Sequence, residues 1–247
     1  MTEQTLTGGN MDPVVRVGDT VRRVVGPWTD AVHTLLRRLA DAGIDGVPRV
    51  QGFDERGREV LSFVNGSVLA DAAPSVLWSS ETLVDAARLL RRIHDASEPL
   101  ASADLHWRTP AHPPLEVVCH NDFAPYNLIE ADGLIESGGR LVGAIDFDTA
   151  SPGSRLWDLA YLAYRIVPYA EDAAGFDPDV FGSREARLGQ LIAAYGAEST
   201  PDEVRAMAAN RLDDLAAFTD VRASETGRAD FVEHAAMYRR DAARLRG

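Results

Sequence analysis

The chain has 247 residues and a formal net charge of -13, and all 25 of its basic residues are arginine. The absence of lysine excludes Schiff-base chemistry, a lysine nucleophile or base, and the lysine of a Walker-type phosphate loop. The acidic balance argues against a nucleic-acid partner, the single Cys119 leaves no internal disulfide, and no apolar run reaches the roughly 18 residues of a membrane span.

Met1 to Asn10 lacks the basic and apolar regions of a signal peptide, so a cytoplasmic location is expected. Val14 to Val25 holds two β-branched runs joined at Gly18-Asp19-Thr20, which predicts a hairpin. After the turn Gly26-Pro27-Trp28, an N-cap at Thr29 opens a helix carrying Val32, Leu35, Leu36 and Leu39, which stops near Gly43. Strands are expected over Pro48 to Val50 and Arg58 to Val64, with Asp54 to Gly57 as the turn between them. Residues 1–64 therefore read as a small β-rich lobe with one helix.

Beyond Asn65-Gly66 the period changes. Leu83, Ala86, Leu90 and Ile93 stripe a helix over Ser80 to Ala96, and a connector with Pro110, Pro113 and Pro114 follows. Short strands are expected over Glu116 to Cys119, Leu128 to Glu130, Gly133 to Glu136 and Leu141 to Asp146. From Leu156 the chain is mostly helical, broken near Pro168, Gly175 to Pro178 and Ser199 to Pro201. Residues 65–247 would form a larger helical lobe, with a ligand cleft where the lobes meet.

The informative segment is Cys119-His120-Asn121-Asp122-Phe123-Ala124-Pro125-Tyr126-Asn127, after which a second apolar strand ends at Ile145-Asp146-Phe147-Asp148. It offers Asp122, Asn127 five residues on, and Asp146 nineteen residues later, each at a strand end or tight loop. Oxygen donors so placed suit magnesium, which takes one or two protein ligands plus substrate phosphates. The remaining aspartate is free to orient an attacking hydroxyl and accept its proton.

His-x-Asp-x4-Asn followed by Ile-Asp resembles the catalytic core of the aminoglycoside phosphotransferase and choline kinase-like small-molecule kinases, which share the protein-kinase-like fold. Glu59 to Gly66 is similar to that family's inter-lobe hinge, Leu90-Arg91-Arg92-Ile93-His94 to its "L-x-x-L-H" helix end, and Pro152-Gly153 with Trp157-Asp158-Leu159-Ala160 to the segment after the metal aspartate. The resemblance implies an α+β, two-lobed kinase-like fold, with ATP or GTP and Mg2+ serving transfer of phosphate to a small-molecule hydroxyl. It implies Asp122 as catalytic base, Asn127 and Asp146 as magnesium ligands, and His120 and Asp158 as structural supports. Asn121 stands where glycine is common, and Asp148 where a protein kinase has the glycine of D-F-G.

Two features depart from the pattern. Thr20-Val21-Arg22-Arg23-Val24 has arginine where a phosphate-binding lysine is expected; Arg23 is favoured because Val21 would share its face and line the base pocket, with Arg22 the runner-up. The resemblance implies that Ser62, Phe63 and Val64 complete the nucleotide-binding set. No glutamate occupies the expected helix turn, which offers Val32 or His33, with Asp30 the only nearby acid, and the phosphate-covering loop is reduced to Gly8-Gly9-Asn10. The acceptor expected from the resemblance is aminoglycoside-like or an amino alcohol, and Glu171, Asp172, Asp177 and Asp179 would form an acidic rim suited to a cation; a solvated loop is the simpler reading of each acid. A kinase-fold nucleotide-binding or immunity protein with weak or no transfer is the alternative that the missing lysine raises. Cys119 reads as a buried, inert thiol.

Overall fold

Half-buried β-branched runs near the N-terminus find their partners across antiparallel registers. The structure, a computed structural model, describes residues 3–6, 14–131 and 141–247. Strands β1 (Gln4–Leu6), β2 (Val14–Val17), β3 (Thr20–Arg23), β4 (Val50–Phe53) and β5 (Glu59–Ser62) form one sheet in the order β1-β2-β3-β5-β4. Helix α1 (Thr29–Asp41) connects β3 to β4 and buries Val32, Leu35, Leu36 and Leu39. The residues expected to form the phosphate-covering loop, Gly8 to Asn10, and the expected strand Gly133 to Glu136 lie outside the described residues.

Several boundaries differ from the sequence reading for local reasons. Pairing on β4 begins at Val50 rather than Pro48, because Pro48 has no amide N–H and the Arg49 amide bonds the Ser62 hydroxyl at 2.8 Å. β5 starts at Glu59 and stops at Ser62, where the Phe63 amide turns to the Asp19 carbonyl at 2.8 Å. The strand expected over Leu141 to Asp146 ends at Ala144, since the Ile145 amide bonds Asn127 O at 2.9 Å and Asp146 adopts φ 62°.

A short helix α2 (Pro74–Leu77) precedes α3 (Ser80–Ser97), whose first turn is capped by the Ser79 side chain accepting from the Thr82 amide. β6 (Ser67–Val68), β8 (Leu128–Glu130) and β9 (Leu141–Ala144) form a three-stranded sheet, and β7 (Val117–Cys119) pairs with β10 (Ser151–Gly153). These two small sheets hold the segments 120–127 and 145–148 between them. Helices α4 (Arg155–Ile166), α5 (Pro178–Phe181), α6 (Arg184–Tyr195), α7 (Pro201–Thr226) and α8 (Ala229–Arg246) complete the chain. α7 opens with a reciprocal capping box between Thr200 and Glu203.

One apolar core runs through the molecule, from Leu36, Leu39 and Leu61 through Leu83, Leu90, Phe123 and Phe147 to Tyr164, Leu188 and Leu212. The segment after α1 is stitched to β9 by a glycine pair: Ala144 N donates to Gly46 O at 2.9 Å, and Gly46 has φ +80°. A Cβ at Gly46 would lie 1.7 Å from Val142 O, so no side chain fits there. Among the described residues, no helix is long and apolar enough to cross a membrane.

Candidate active site

The strand ends dictate the site. Leaving β7, the chain must turn at once, and it does so at Asn121 with φ 64°, a left-handed conformation that favours glycine and after it asparagine. This accounts for asparagine where glycine is common. The conformation is fixed from every side: Asn121 Nδ2 donates to Thr149 O and Ser151 Oγ at 2.8 Å each, its Oδ1 accepts from Trp157 Nε1 at 3.0 Å, and its carbonyl accepts from Arg211. Asp158, wholly buried on α4, accepts from the amides of His120 at 2.7 Å and Asn121 at 3.0 Å.

His120 links the two halves of the site. Its Nδ1 accepts from the Asp122 amide at 3.3 Å, which leaves Nε2–H to donate to Ile145 O at 3.0 Å, next to Asp146. Asp122 presents its carboxylate between two donors: Tyr126 Oη at 2.5 Å on Oδ1 and Asn127 Nδ2 at 2.9 Å on Oδ2. Each oxygen keeps a lone pair for a further hydrogen bond. Burial, with Tyr161 and the Asp122 charge beside it, pushes the Tyr126 phenol well above its ordinary pKa, so it stays a donor.

Arg23 and Arg22 point to opposite faces of β3. Arg22 bonds Thr20 Oγ1 at 2.5 Å and lies 3.7 Å from Asp54, away from the strand ends. Arg23 sits among Glu59 at 3.2 Å, Asp146 at 3.6 Å and, closest, Asp148. Burial opposes its charge, but Asp148, Asp146 and Glu59 outweigh burial and raise its pKa. Arg108 Nη1 lies 3.4 Å from Asp148 and its guanidinium stacks 4.2 Å over the Trp28 ring.

The acid facing the arginine is therefore Glu59, from β5, and not a residue of α1. The antiparallel register sets Glu59 directly opposite Arg23 on one face of the sheet. His33 occupies the helix turn where the family pattern places a glutamate, and its Nε2 bonds Glu59 Oε2 at 2.9 Å. Asp30 is exposed in the first turn of α1. Sequence reasoning missed Glu59, His33 and the pairing of Asp148; the available signal was a lone carboxylate opening an otherwise apolar strand.

The other nominated residues are distributed as follows. Val21 packs partly buried against the core, and Ser62, Phe63 and Val64 follow along the end of β5, all half-buried. The Phe63 amide is engaged by Asp19 O, and Arg16 stacks 3.7 Å over the Phe63 ring. Cys119 is fully buried and burial pushes its thiol well above the ordinary value, in keeping with an inert thiol. Cys119 lies with His94 and Asp158 in a compact cluster, but their polar atoms are already committed. His94 bonds Tyr195 Oη at 2.7 Å and Asp158 at 3.1 Å, and Cys119 Sγ bonds Ser154 O at 3.3 Å, so the cluster is a buried strut. Of the acidic rim, Glu171 is taken by Arg240 at 2.6 Å and Arg244 at 3.3 Å, Asp172 by Arg165 at 3.0 Å, and Asp177 caps α5.

A two-lobed α+β fold with a loop of this form is the protein-kinase-like one. Residues 101–209 match the phosphotransferase enzyme family. A relative named trifolitoxin immunity protein, from Rhizobium leguminosarum bv. trifolii, is 37% identical over 205 residues, spanning 78% of this chain and 74% of that protein. Among solved structures, a putative aminoglycoside phosphotransferase from Ralstonia eutropha JMP134 superposes with a TM-score of 0.67 at 15% identity, covering 99% of this chain and 91% of that one. The GDP complex of an aminoglycoside 2'-phosphotransferase-IIIa variant gives 0.66 at 15% identity, covering 100% and 93%. The chain belongs to the phosphotransferase enzyme family, and its fold is protein-kinase-like.

Proposed function

We propose that the protein is a cytoplasmic small-molecule kinase that transfers the γ-phosphate of ATP or GTP to a hydroxyl group, with residues 1–64 holding the nucleotide and residues 65–247 carrying the catalytic loop and the acceptor. The observation that carries this reading is the meeting of Arg23 with Asp146 and Asp148 beside the Asp122–Asn127 loop. Asp146, with half of its side chain exposed, and the amide oxygen of Asn127 are hard oxygen donors of the kind Mg2+ takes, so the donor set fits that ion. Bound there, magnesium would neutralise charge on the nucleotide phosphates.

Asp122 Oδ1 or Oδ2 accepts the hydrogen bond of the acceptor hydroxyl and receives its proton. The acceptor oxygen forms a bond to the γ-phosphorus as the bond to the β-phosphate oxygen breaks, releasing the nucleoside diphosphate. Tyr126 and Asn127 hold the carboxylate for that contact, and His120 keeps it in register with Asp146. Arg23 supplies the positive charge on phosphate oxygens, with a guanidinium fork in place of an ammonium. Val21 lines the base pocket, and Ser62, Phe63 and Val64 border it. Because the Phe63 amide is committed to Asp19, the base reads other hinge groups.

The name of the 37% identical relative favours a second reading, an immunity protein that binds nucleotide without transferring phosphate. One variant separates the two. Asp122→Ala should retain nucleotide affinity within about threefold and lower transfer by roughly 10²–10⁴-fold, measured as release of nucleoside diphosphate with acceptor present. Nucleotide binding by the wild type with no transfer to any acceptor would favour the second reading; transfer retained in Asp122→Ala would remove Asp122 as the base.

A further inference from the structure

Beside the catalytic loop, a cavity of about 450 Å³ lies under α2, walled by Leu77 and Trp78 on one side and by Pro125 and Tyr126 on the other. Its connection to the chemistry is direct: the Tyr126 ring lines the cavity while its hydroxyl lies 2.5 Å from Asp122 Oδ1. Asp122 itself does not line the cavity; Tyr126 is the residue that joins the two. Among the described residues, the cavity lining is apolar except for Tyr126, Arg165 and Asp172.

Those two charges are unequal. The Arg165 side chain is 16% exposed, fixed on α4 with its guanidinium 5.8 Å from the Tyr126 ring centre and 5.5 Å from that of Tyr164. Asp172 is half exposed, on the irregular segment between α4 and α5. It takes one hydrogen from each terminal nitrogen, at 3.0 and 3.5 Å, and leaves each with a second hydrogen to donate. An exposed carboxylate held in this way exchanges at little cost for another. A cation entering the cavity instead meets a guanidinium, and two acids of the same segment are engaged elsewhere: Glu171 is held by Arg240 and Arg244, and Asp177 caps α5.

We propose that this cavity is the acceptor site and that it takes a small hydroxy acid, with the apolar body against Trp78 and Leu77, the carboxylate on Arg165 and the hydroxyl at Asp122. The inference deepens the phosphotransferase reading and rests on it. It replaces the cationic acceptor expected from the family resemblance with an anionic one. The product is a phosphate ester of the hydroxy acid; the hydroxyl proton passes to Asp122 and the nucleoside diphosphate leaves. Arg165 is a specificity residue and takes no part in bond making.

The experiment uses the full chain saturated with magnesium and a non-hydrolysable ATP or GTP analogue, titrated in a calorimeter with mandelate, 3-hydroxybutyrate, choline and streptomycin, followed by transfer assays with ATP or GTP. Failure to bind either nucleotide analogue would refute the kinase reading itself. With nucleotide bound, at least one hydroxy acid is expected to bind and to accept phosphate, and neither cation to do so. Arg165→Gln should raise KM for the hydroxy acid at least tenfold with kcat within threefold of wild type. Asp172→Asn, which removes the competing carboxylate and leaves the guanidinium in place, should tighten hydroxy-acid binding several-fold. Binding of neither hydroxy acid, saturation by choline or streptomycin, or weaker hydroxy-acid binding in Asp172→Asn would overturn the proposal.

Discussion

Replacing Glu59 separates the work this carboxylate does for the fold from the work proposed for it in nucleotide binding. Glu59 is 3% exposed and touches Arg23 at 3.2 Å and His33 at 2.9 Å. Burial raises its pKa; Arg23 and His33 pull the other way without cancelling that effect. The ionised form is thus held at a cost, which a neutral isostere removes while it also removes one counter-charge of Arg23. These changes oppose each other, so Glu59→Gln should alter stability by no more than about 1 kcal/mol, or about 4 °C in Tm for a chain of this size. Glu59→Ala is different: it leaves His33 Nε2 and Arg23 Nε without their partner in a buried place and should cost about 3–5 kcal/mol, on the order of 10 °C. In both variants Arg23 loses the neighbour that fixes its fork and shifts onto Asp146 and Asp148. Affinity for magnesium–nucleotide should therefore fall about 10–100-fold, equal to about 1.4–2.8 kcal/mol. Calorimetric titration beside a thermal scan reads both quantities. A Glu59→Gln protein with wild-type Tm and wild-type nucleotide affinity would refute the argument that Glu59 positions Arg23.

Two further outcomes concern the frame of the site. Arg187 is buried without a carboxylate partner, and burial lowers its pKa to about 10. It donates to Trp78 O at 2.7 Å, Ile166 O at 2.9 Å and Phe181 O at 3.3 Å, so Arg187→Ala should cost about 2–4 kcal/mol and lower Tm by roughly 5–15 °C; an unchanged Tm would contradict this. For Asp158, burial would raise the carboxyl, but the His94 hydrogen bond and the His120 amide hold it below the usual range. Because the folded value is the lower one, its stabilisation is complete above the unfolded pKa of about 3.9 and is lost as pH falls through the folded value. Asp158→Asn should therefore be less stable than wild type by about 3 kcal/mol at pH 7, with the gap narrowing below about pH 4; denaturant midpoints that differ equally at both pH values would contradict the assignment.

How much of this was legible in the sequence depended on distance along the chain. Asp122 and Asn127 lie within one loop, and Asp146 ends an apolar strand, so spacing alone singled them out as a group. The Arg23–Glu59 pair is set by the register of β3 against β5, and nothing local to either strand announces that register. The family pattern points to α1 for a glutamate, where His33 stands; its role as the link from helix to Glu59 appears only when both are placed. The acidic rim was visible as composition, yet the partners of Glu171, Arg240 and Arg244, come from α8, some seventy residues away, and offset that part of the charge the sequence displays. Asn121 carries a clearer lesson: its identity in place of glycine became intelligible once its φ of 64° was known.

The central claim is that Asp146, Asn127 and Arg23 together hold a magnesium–nucleotide complex beside Asp122. Isothermal titration of the wild type and of Asp146→Ala with ATP and GTP, with and without magnesium, tests it most directly. The account predicts wild-type binding of at least one nucleotide that tightens tenfold or more with magnesium, and loss of that magnesium-dependent gain in Asp146→Ala. Absence of nucleotide binding in the wild type, or an equal magnesium effect in Asp146→Ala, would contradict it.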